Sequence, residues 1–333
     1  MTTPQTNQAP AVEIPGAPVP LSRLVLGTMT FGDTVDAAGS AEMLDAALEA
    51  GISGVDTANG YAGGATETLL GPLLRTRRDQ VVLATKAGMP HPDAGEHAPL
   101  SRAGLEASLA GSLGRLQVER VDLYYLHQPD RATPVRETLS TIAGFVADGR
   151  VGALGVSNMA AWQIAELNVA ADEVGCPRPV VAQQLYNLLA RRVEEEYLEF
   201  AHVNALATMV YNPLGGGLLT GRHSFSDAPT SGRFGSSKLA AMYTQRYWNP
   251  ELFDAVARLH TIADGAGMPL AELSLRWLLG SPDVGALLLG GSRTAQLQQN
   301  IAAAAAGHLP PDVIAACDEV GATLRGPMPA YNR

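Results

Sequence analysis

Val81-Val82-Leu83-Ala84-Thr85-Lys86 and Val121-Asp122-Leu123-Tyr124-Tyr125-Leu126-His127 are two short, nearly continuous apolar runs, each ending in a basic residue. Short runs of this kind suit strands buried on both faces of a parallel sheet. Residues 101–116, between them, read as a helix. A strand, a helix and a second strand in that order make one crossover unit. Repeated crossover units imply a parallel sheet with right-handed connections.

The alternation extends in both directions. Strands are expected at residues 24–27, 54–57, 81–86, 121–127, 151–156, 180–186, 206–211 and 285–289. Helices are expected at 37–50, 66–74, 101–116, 134–148, 160–174, 193–203, 251–264, 270–279 and 294–306. Pro134 suits a first helical turn, where its missing N–H is not needed. Residues 213–250 form a long Gly/Ser/Pro-rich excursion. Eight β-then-α units in 333 residues average about 42 residues each, the size of a (β/α)8 TIM barrel with long βα loops. A doubly wound open sheet is the rival α/β architecture. If it bound a dinucleotide it would carry G-x-G-x-x-G after its first strand, where Gly27-Thr28-Met29-Thr30 stands instead. Residues 12–19 are expected to form a short hairpin that plugs the barrel's N-terminal end. Residues 1–11 read as a flexible segment, and 12–333 as one barrel domain.

Composition narrows the partners. Hydrophobic residues make up 46%, enough for a large core, and 33 acidic against 23 basic residues give a formal net charge of −10. An acidic chain is poorly suited to nucleic acid or to an anionic membrane surface. The two cysteines lie in no Cys/His cluster, so no metal site and a reducing compartment are expected. The N-terminus has no basic-then-apolar character of a signal peptide. No apolar run reaches about 18 residues, the length of a transmembrane helix. The reading is a cytoplasmic protein acting on a small molecule.

In a barrel, chemistry gathers where strands end and βα loops begin. Those ends carry Asp56, with Tyr61 five residues on, then Lys86, His127, Ser157-Asn158, Gln183 and Tyr211. Singly, each has a bland reading: a solvated lysine, a rim histidine, an aspartate capping the next helix. Together they are expected to converge on one mouth. A phenol titrates near pH 10, and a neighbouring ammonium favours its phenolate. Tyr61 beside Lys86 is therefore a candidate proton donor. None of these side chains can give a hydride.

The run Gly54-Val55-Asp56-Thr57-Ala58-Asn59-Gly60-Tyr61 resembles the aldo-keto reductase signature around its catalytic Asp and Tyr. The resemblance continues through Lys86, Leu126-His127-Gln128-Pro129-Asp130 and Gly155-Val156-Ser157-Asn158. It goes on through Gln183 to Leu189, Tyr211 to Leu218 and Gly290 to Asn300, so that it spans about residues 20 to 306 in order. It implies the barrel and a reversible, NADPH-dependent reduction of an aldehyde or ketone without a metal. Tyr61 would give the proton, Lys86 would favour the phenolate, Asp56 would hold Lys86, and His127 would orient the carbonyl oxygen.

The resemblance also assigns the cofactor. Ser157, Asn158 and Gln183 would bind the carboxamide and Tyr211 would stack on the ring, with Gly27, Thr28, Met29 and Asp56 nearby. Leu214, Gly215, Gly217 and Leu218 would meet the pyrophosphate through backbone N–H groups, with Asn212 and Pro213 also at the cofactor and Arg233 closing from outside. Gly290, Ser292, Arg293, Gln296, Gln299 and Asn300 would hold the adenosine end, Arg293 taking the 2′-phosphate. Gln299 departs from the Glu of many relatives, and the lysine some use for that phosphate is missing. Pocket candidates are Met29, Phe31, Tyr61, Met89, His127 and Trp248, with Asn59 and His91 as polar members. Two rivals remain: a nicotinamide-binding regulatory protein acting through a partner, and a non-redox barrel enzyme using Tyr61 and Lys86.

Overall fold

A computed structural model describes residues 12–227 and 229–326. The segment 1–11, expected to be flexible, lies outside the described residues. In chain order the elements begin β1 (Leu24–Gly27), α1 (Ala37–Glu49), β2 (Gly54–Asp56), α2 (Ala65–Leu74), β3 (Val82–Ala87), α3 (Arg102–Leu116), β4 (Val121–Leu126) and α4 (Val135–Ala147). They continue with β5 (Val151–Ser157), α5 (Ala161–Val174), β6 (Val181–Leu185), α6 (Tyr197–Val203), β7 (Ala207–Tyr211), α7 (Ala240–Tyr247), α8 (Pro250–Gly265) and α9 (Leu270–Gly280). Last come β8 (Ala286–Leu289), α10 (Thr294–Ala304) and α11 (Pro311–Leu324). The strands close in sequence order into a parallel barrel, β1 pairing with both β2 and β8.

The described residues fall into two compact units. The first holds the barrel and comprises residues 12–184, 196–211 and 282–298. Its interior is filled by Val25, Ala84, Leu123, Tyr125, Ala153, Val181, Ala207, Met209, Ala286 and Leu288. Small alanines face large Tyr125 and Met209, so the inside is packed rather than hollow. Val12 joins this cluster, with Ile14 and Leu21 against it. The N-terminal plug is therefore present, but not as the expected hairpin. Among the described residues no strand precedes Leu24, and the segment turns instead, with Ala17 N–H donating to Ile14 O at 3.2 Å. Pro15, Pro18 and Pro20 have no N–H for a ladder, so burial of Val12 rather than strand pairing seats the segment.

The second unit comprises residues 185–195, 212–281 and 299–326. The excursion 213–250, expected to be irregular, contains α7. Tyr243 and Tyr247 sit four apart on one face of that helix, are buried, and stack with ring centroids 6.4 Å apart. Helix α11 lies beyond the last expected helix and starts at a proline, which suits a first turn. Among the described residues no helix is long and apolar enough to cross a membrane.

Candidate active site

Side chains along a strand alternate in direction. Ala84, Tyr125, Val181 and Met209 face the barrel interior. Lys86, His127, Gln183 and Tyr211 follow each of them by two residues, and so continue the same inward rows to the C-terminal mouth. Strand register adds Asp56, which lies opposite Gly27 and Ala84, while Lys86 lies opposite Tyr125.

Lys86 and Asp56 are each at most 1% exposed and form an ion pair through Nζ and Oδ1. Lys86 Nζ also donates to Thr57 O at 2.8 Å and to Tyr61 Oη at 3.2 Å, which uses its three protons. It lies 4.9 Å from the Tyr61 ring centroid. Asp56 Oδ2 accepts from Gln183 Nε2 at 2.9 Å. Burial pushes the Asp56 carboxyl up, and the Lys86 charge and Gln183 restrain the rise. Burial pulls the Lys86 ammonium down, but the charges and hydrogen bonds of Asp56 and Tyr61 outweigh it, so the ammonium stands above its ordinary value. Lys86 is thus held charged beside a phenol.

His127 approaches Tyr61 edge to face, with centroids 5.9 Å apart. Burial, and then repulsion by Lys86, lower its imidazole to about 3. It is a neutral hydrogen-bonding group at ordinary pH, and its buried Nδ1 has no hydrogen-bond partner among the described residues.

Ser157, Asn158, Gln183 and Tyr211 come together as expected. Ser157 Oγ donates to Gln183 O at 2.9 Å. Asn158 Nδ2 donates to His127 O at 2.9 Å and to Ser157 Oγ at 3.0 Å, and Asn158 Oδ1 accepts from Tyr211 Oη at 2.6 Å. The amide plane of Asn158 is therefore fixed from three sides. Asn158 holds φ 57°, a left-handed conformation that Asn tolerates better than most residues.

Other expected residues take different places. Thr28 is wholly buried and its hydroxyl donates to Asp56 O at 2.8 Å, so it fixes the Asp56 backbone instead of facing a ligand. Phe31 is 0% exposed and belongs to the core rather than to a pocket wall. Gly27 and Met29 are half-buried, and Met89 is exposed. Asn59 is buried, and among the described residues neither of its amide atoms has a partner, nor does His91 Nε2.

In the second unit the glycine run was expected to offer N–H groups. The N–H groups of Gly215, Gly216 and Gly217 instead donate to Asn212 O at 3.1 Å, Asn212 Oδ1 at 2.7 Å and Leu214 O at 2.9 Å. What the run does provide is a left-handed path, φ 57°, 70° and 110°, that only glycine follows easily. Pro213 and Leu218 are buried. Arg222 and His223, absent from the sequence-based candidates, lie against this run: a Cβ on Gly217 would sit 3.5 Å from the Arg222 guanidinium and 3.8 Å from His223 Nε2. Arg233 donates to Tyr243 Oη and lies 5.2 Å from that ring's centroid. Neither Arg222 nor Arg233 forms a carboxylate ion pair among the described residues. Trp248 is built into an aromatic cluster with His223, Phe225, Phe234 and Phe253. Gln299 is exposed and Asn300 buried.

In the first unit, Thr30 Oγ1 donates to Gly291 O at 2.9 Å, which fixes the turn after Gly290. Ser292 gives both its N–H and its hydroxyl to Gln296 Oε1, each at 3.0 Å. Arg293 is exposed just before α10.

The model of the aldo/keto reductase family matches residues 23–322. Aldo-keto reductase family 7 member A3 of Homo sapiens is 38% identical, over 93% of this chain and 96% of its own length. Aflatoxin B1 aldehyde reductase member 2 of Mus musculus is 37% identical, over 93% of this chain and 87% of its own. A probable voltage-gated potassium channel subunit beta of Arabidopsis thaliana is 32% identical, over 83% of this chain and 84% of its own.

Proposed function

The chain belongs to the aldo/keto reductase family, and from that premise we propose that it reduces an aldehyde or ketone to the alcohol with NADPH, Tyr61 giving the proton. One observation carries the reading: a buried ammonium, Lys86, stands 3.2 Å from the Tyr61 hydroxyl and is held there by Asp56.

The residues present suit a nicotinamide dinucleotide. Ser157, Asn158 and Gln183 form an ordered amide and hydroxyl cluster of the kind that recognises a carboxamide. Arg293, exposed before α10, suits the 2′-phosphate. Bound there, NADPH would supply the hydride to the carbonyl carbon. Tyr61 passes its phenolic proton to the carbonyl oxygen, completing the alcohol. Lys86 stabilises the phenolate left behind. Asp56 keeps Lys86 charged and in place, and Gln183 keeps Asp56 in place. Neutral His127 offers a hydrogen bond that orients the carbonyl oxygen next to Tyr61. The oriented acid supplies about 10²–10⁴-fold of the rate.

The Mus musculus relative is named for an aldehyde, which favours aldehydes as the first substrates to try. The plant channel-subunit relative supports the regulatory alternative. The complete Asp56–Lys86–Tyr61 constellation favours catalysis, since binding alone needs no proton donor. NADPH consumption against a panel of aldehydes and ketones tests the choice. Turnover that requires both carbonyl and protein is expected. Tight NADPH binding with no turnover across the panel would favour the regulator.

A further inference from the structure

The turn that carries Tyr61 follows a left-handed backbone path. After Tyr61 the chain passes through three left-handed residues, Ala62 at φ 48°, Gly63 at 66° and Gly64 at 92°. The glycines accept this conformation; Ala62 is strained in it. Tyr61 N–H donates to Ala58 O at 3.1 Å, Gly63 N–H to Gly60 O at 3.2 Å, and Ala65 N–H returns to Ala62 O. Proton donation needs the phenol held at a fixed place beside Lys86.

An ionic cluster lies directly behind this turn. The Arg115 side chain runs against Gly64, where an added Cβ would fall 3.1 Å from Arg115 Cδ and Nε. Arg115 Nε donates to Glu67 Oε2 at 2.9 Å, and its two terminal nitrogens grip Asp93 at 3.0 and 2.7 Å. The other Glu67 oxygen accepts the hydroxyl proton of Thr85. The Glu67 side chain is 0% exposed. It stands in the first turn of α2, which continues from the Tyr61 turn. Thr85 is the neighbour of Lys86 on β3 and faces away from the barrel interior, because alternate residues point to opposite faces. One buried carboxylate thus bridges the element that bears the phenol and the strand that bears the ammonium. A buried ion pair adds little net stability compared with apolar packing of the same volume. Its directional hydrogen bonds do fix relative position.

We propose that Glu67, with Arg115 and Thr85, is a positioning clamp that holds the Tyr61 phenol against the Lys86 ammonium. The clamp touches neither substrate nor cofactor, and its catalytic consequence rests on the reading of Tyr61 as proton donor. The titratable groups facing the phenol are Lys86 from β3, Asp56 from β2 through Lys86, Tyr125 from β4 and His127 after β4. None belongs to the clamp, so a loosened clamp acts on the phenol by moving it away from Lys86.

The test uses Thr85→Val, which keeps the β-branched shape and deletes the hydroxyl, Thr85→Ser, which restores it, and Glu67→Gln. Ultraviolet difference titration, subtracting Tyr61→Phe, reads the Tyr61 phenol midpoint without requiring turnover. Thr85→Val and Glu67→Gln should raise that midpoint by about one pH unit, as expected when a phenol loses part of an ammonium's influence. They should lower kcat by roughly tenfold, within the range that small misplacements cost. KM for the carbonyl and NADPH affinity should stay within about twofold, since binding groups are untouched. Thr85→Ser should return the midpoint to the wild-type value. An unmoved midpoint in folded Thr85→Val overturns the clamp, and so does a loss of activity that follows thermal stability alone. If Glu67→Gln does not fold, the valine and serine pair decides. Failure of the proton-donor reading looks different: the midpoint moves with the clamp, while Tyr61→Phe still turns over.

Discussion

Lys86→Met deletes the ammonium while keeping most of the side-chain stem. It leaves Asp56, 1% exposed, with only Gln183 Nε2 as a side-chain partner, and frees Thr57 O from its 2.8 Å donor. Breaking a buried pair from one side costs about 3–5 kcal/mol, because the remaining charge has neither water nor counter-ion. Removing both charges costs much less. We therefore expect Lys86→Met to lose about 3–5 kcal/mol in urea unfolding at neutral pH, and the Asp56→Asn, Lys86→Met double variant to regain more than half of it. The pH dependence has a definite sign. Without Lys86, burial outweighs the Gln183 hydrogen bond and holds the folded pKa of the Asp56 carboxyl above the unfolded value. That contribution favours folding below the unfolded pKa and is lost as pH rises through the folded pKa. The deficit of Lys86→Met should thus be larger at pH 8 than at pH 5. A single variant within about 1 kcal/mol of wild type, or a double variant no better than the single, would refute the reasoning.

Other outcomes follow from the same geometry. The His127 imidazole, lowered to about 3, should show no NMR titration between pH 5 and 8, and a midpoint inside that window would contradict its burial beside Lys86. Unfolded histidine titrates near 6.5, so the unfolded chain takes up a proton that native His127 refuses. Stability should fall as pH drops from 6.5 towards 3, and His127→Gln should flatten that slope. Arg293 stands exposed before α10, so wild type should bind NADPH at least about tenfold tighter than NADH. Arg293→Ala should shrink the gap by weakening NADPH alone, and equal losses for both cofactors would place the 2′-phosphate elsewhere.

The barrel and the residues at its mouth were legible in the sequence for one physical reason. A strand buried on both faces must be apolar along its length, so a polar residue at its end stands out. Asp56, Lys86, His127, Ser157 and Gln183 were visible in this way. Less visible was anything that depends on what a side chain meets. Thr28 and Phe31 read as ligand contacts because they follow β1, yet one ties down Asp56 O and the other fills the core. The glycine run read as a set of free N–H donors, but Asn212 turns its side chain back and takes one of them. Arg222 and His223 could have been found, since they are cationic or titratable residues a few positions beyond that run. Glu67 and Arg115 carry no local mark of burial: each sits in an ordinary helical segment, and only the fold brings them to Thr85. Helix α7 was hidden by the Gly/Pro-rich composition around it, although Tyr243 and Tyr247 show its spacing.

The most direct test of the account is hydride transfer from NADPH to one good aldehyde substrate in a single turnover, wild type against Tyr61→Phe, with NADPH affinity measured on both proteins. Phenylalanine keeps the ring that faces Lys86 and His127 but has no proton to give. The account predicts a rate lower by about 10²–10⁴-fold with NADPH affinity within about twofold of wild type, because the phenol acts in the chemical step and not in binding. A Tyr61→Phe protein that transfers hydride at the wild-type rate would contradict it.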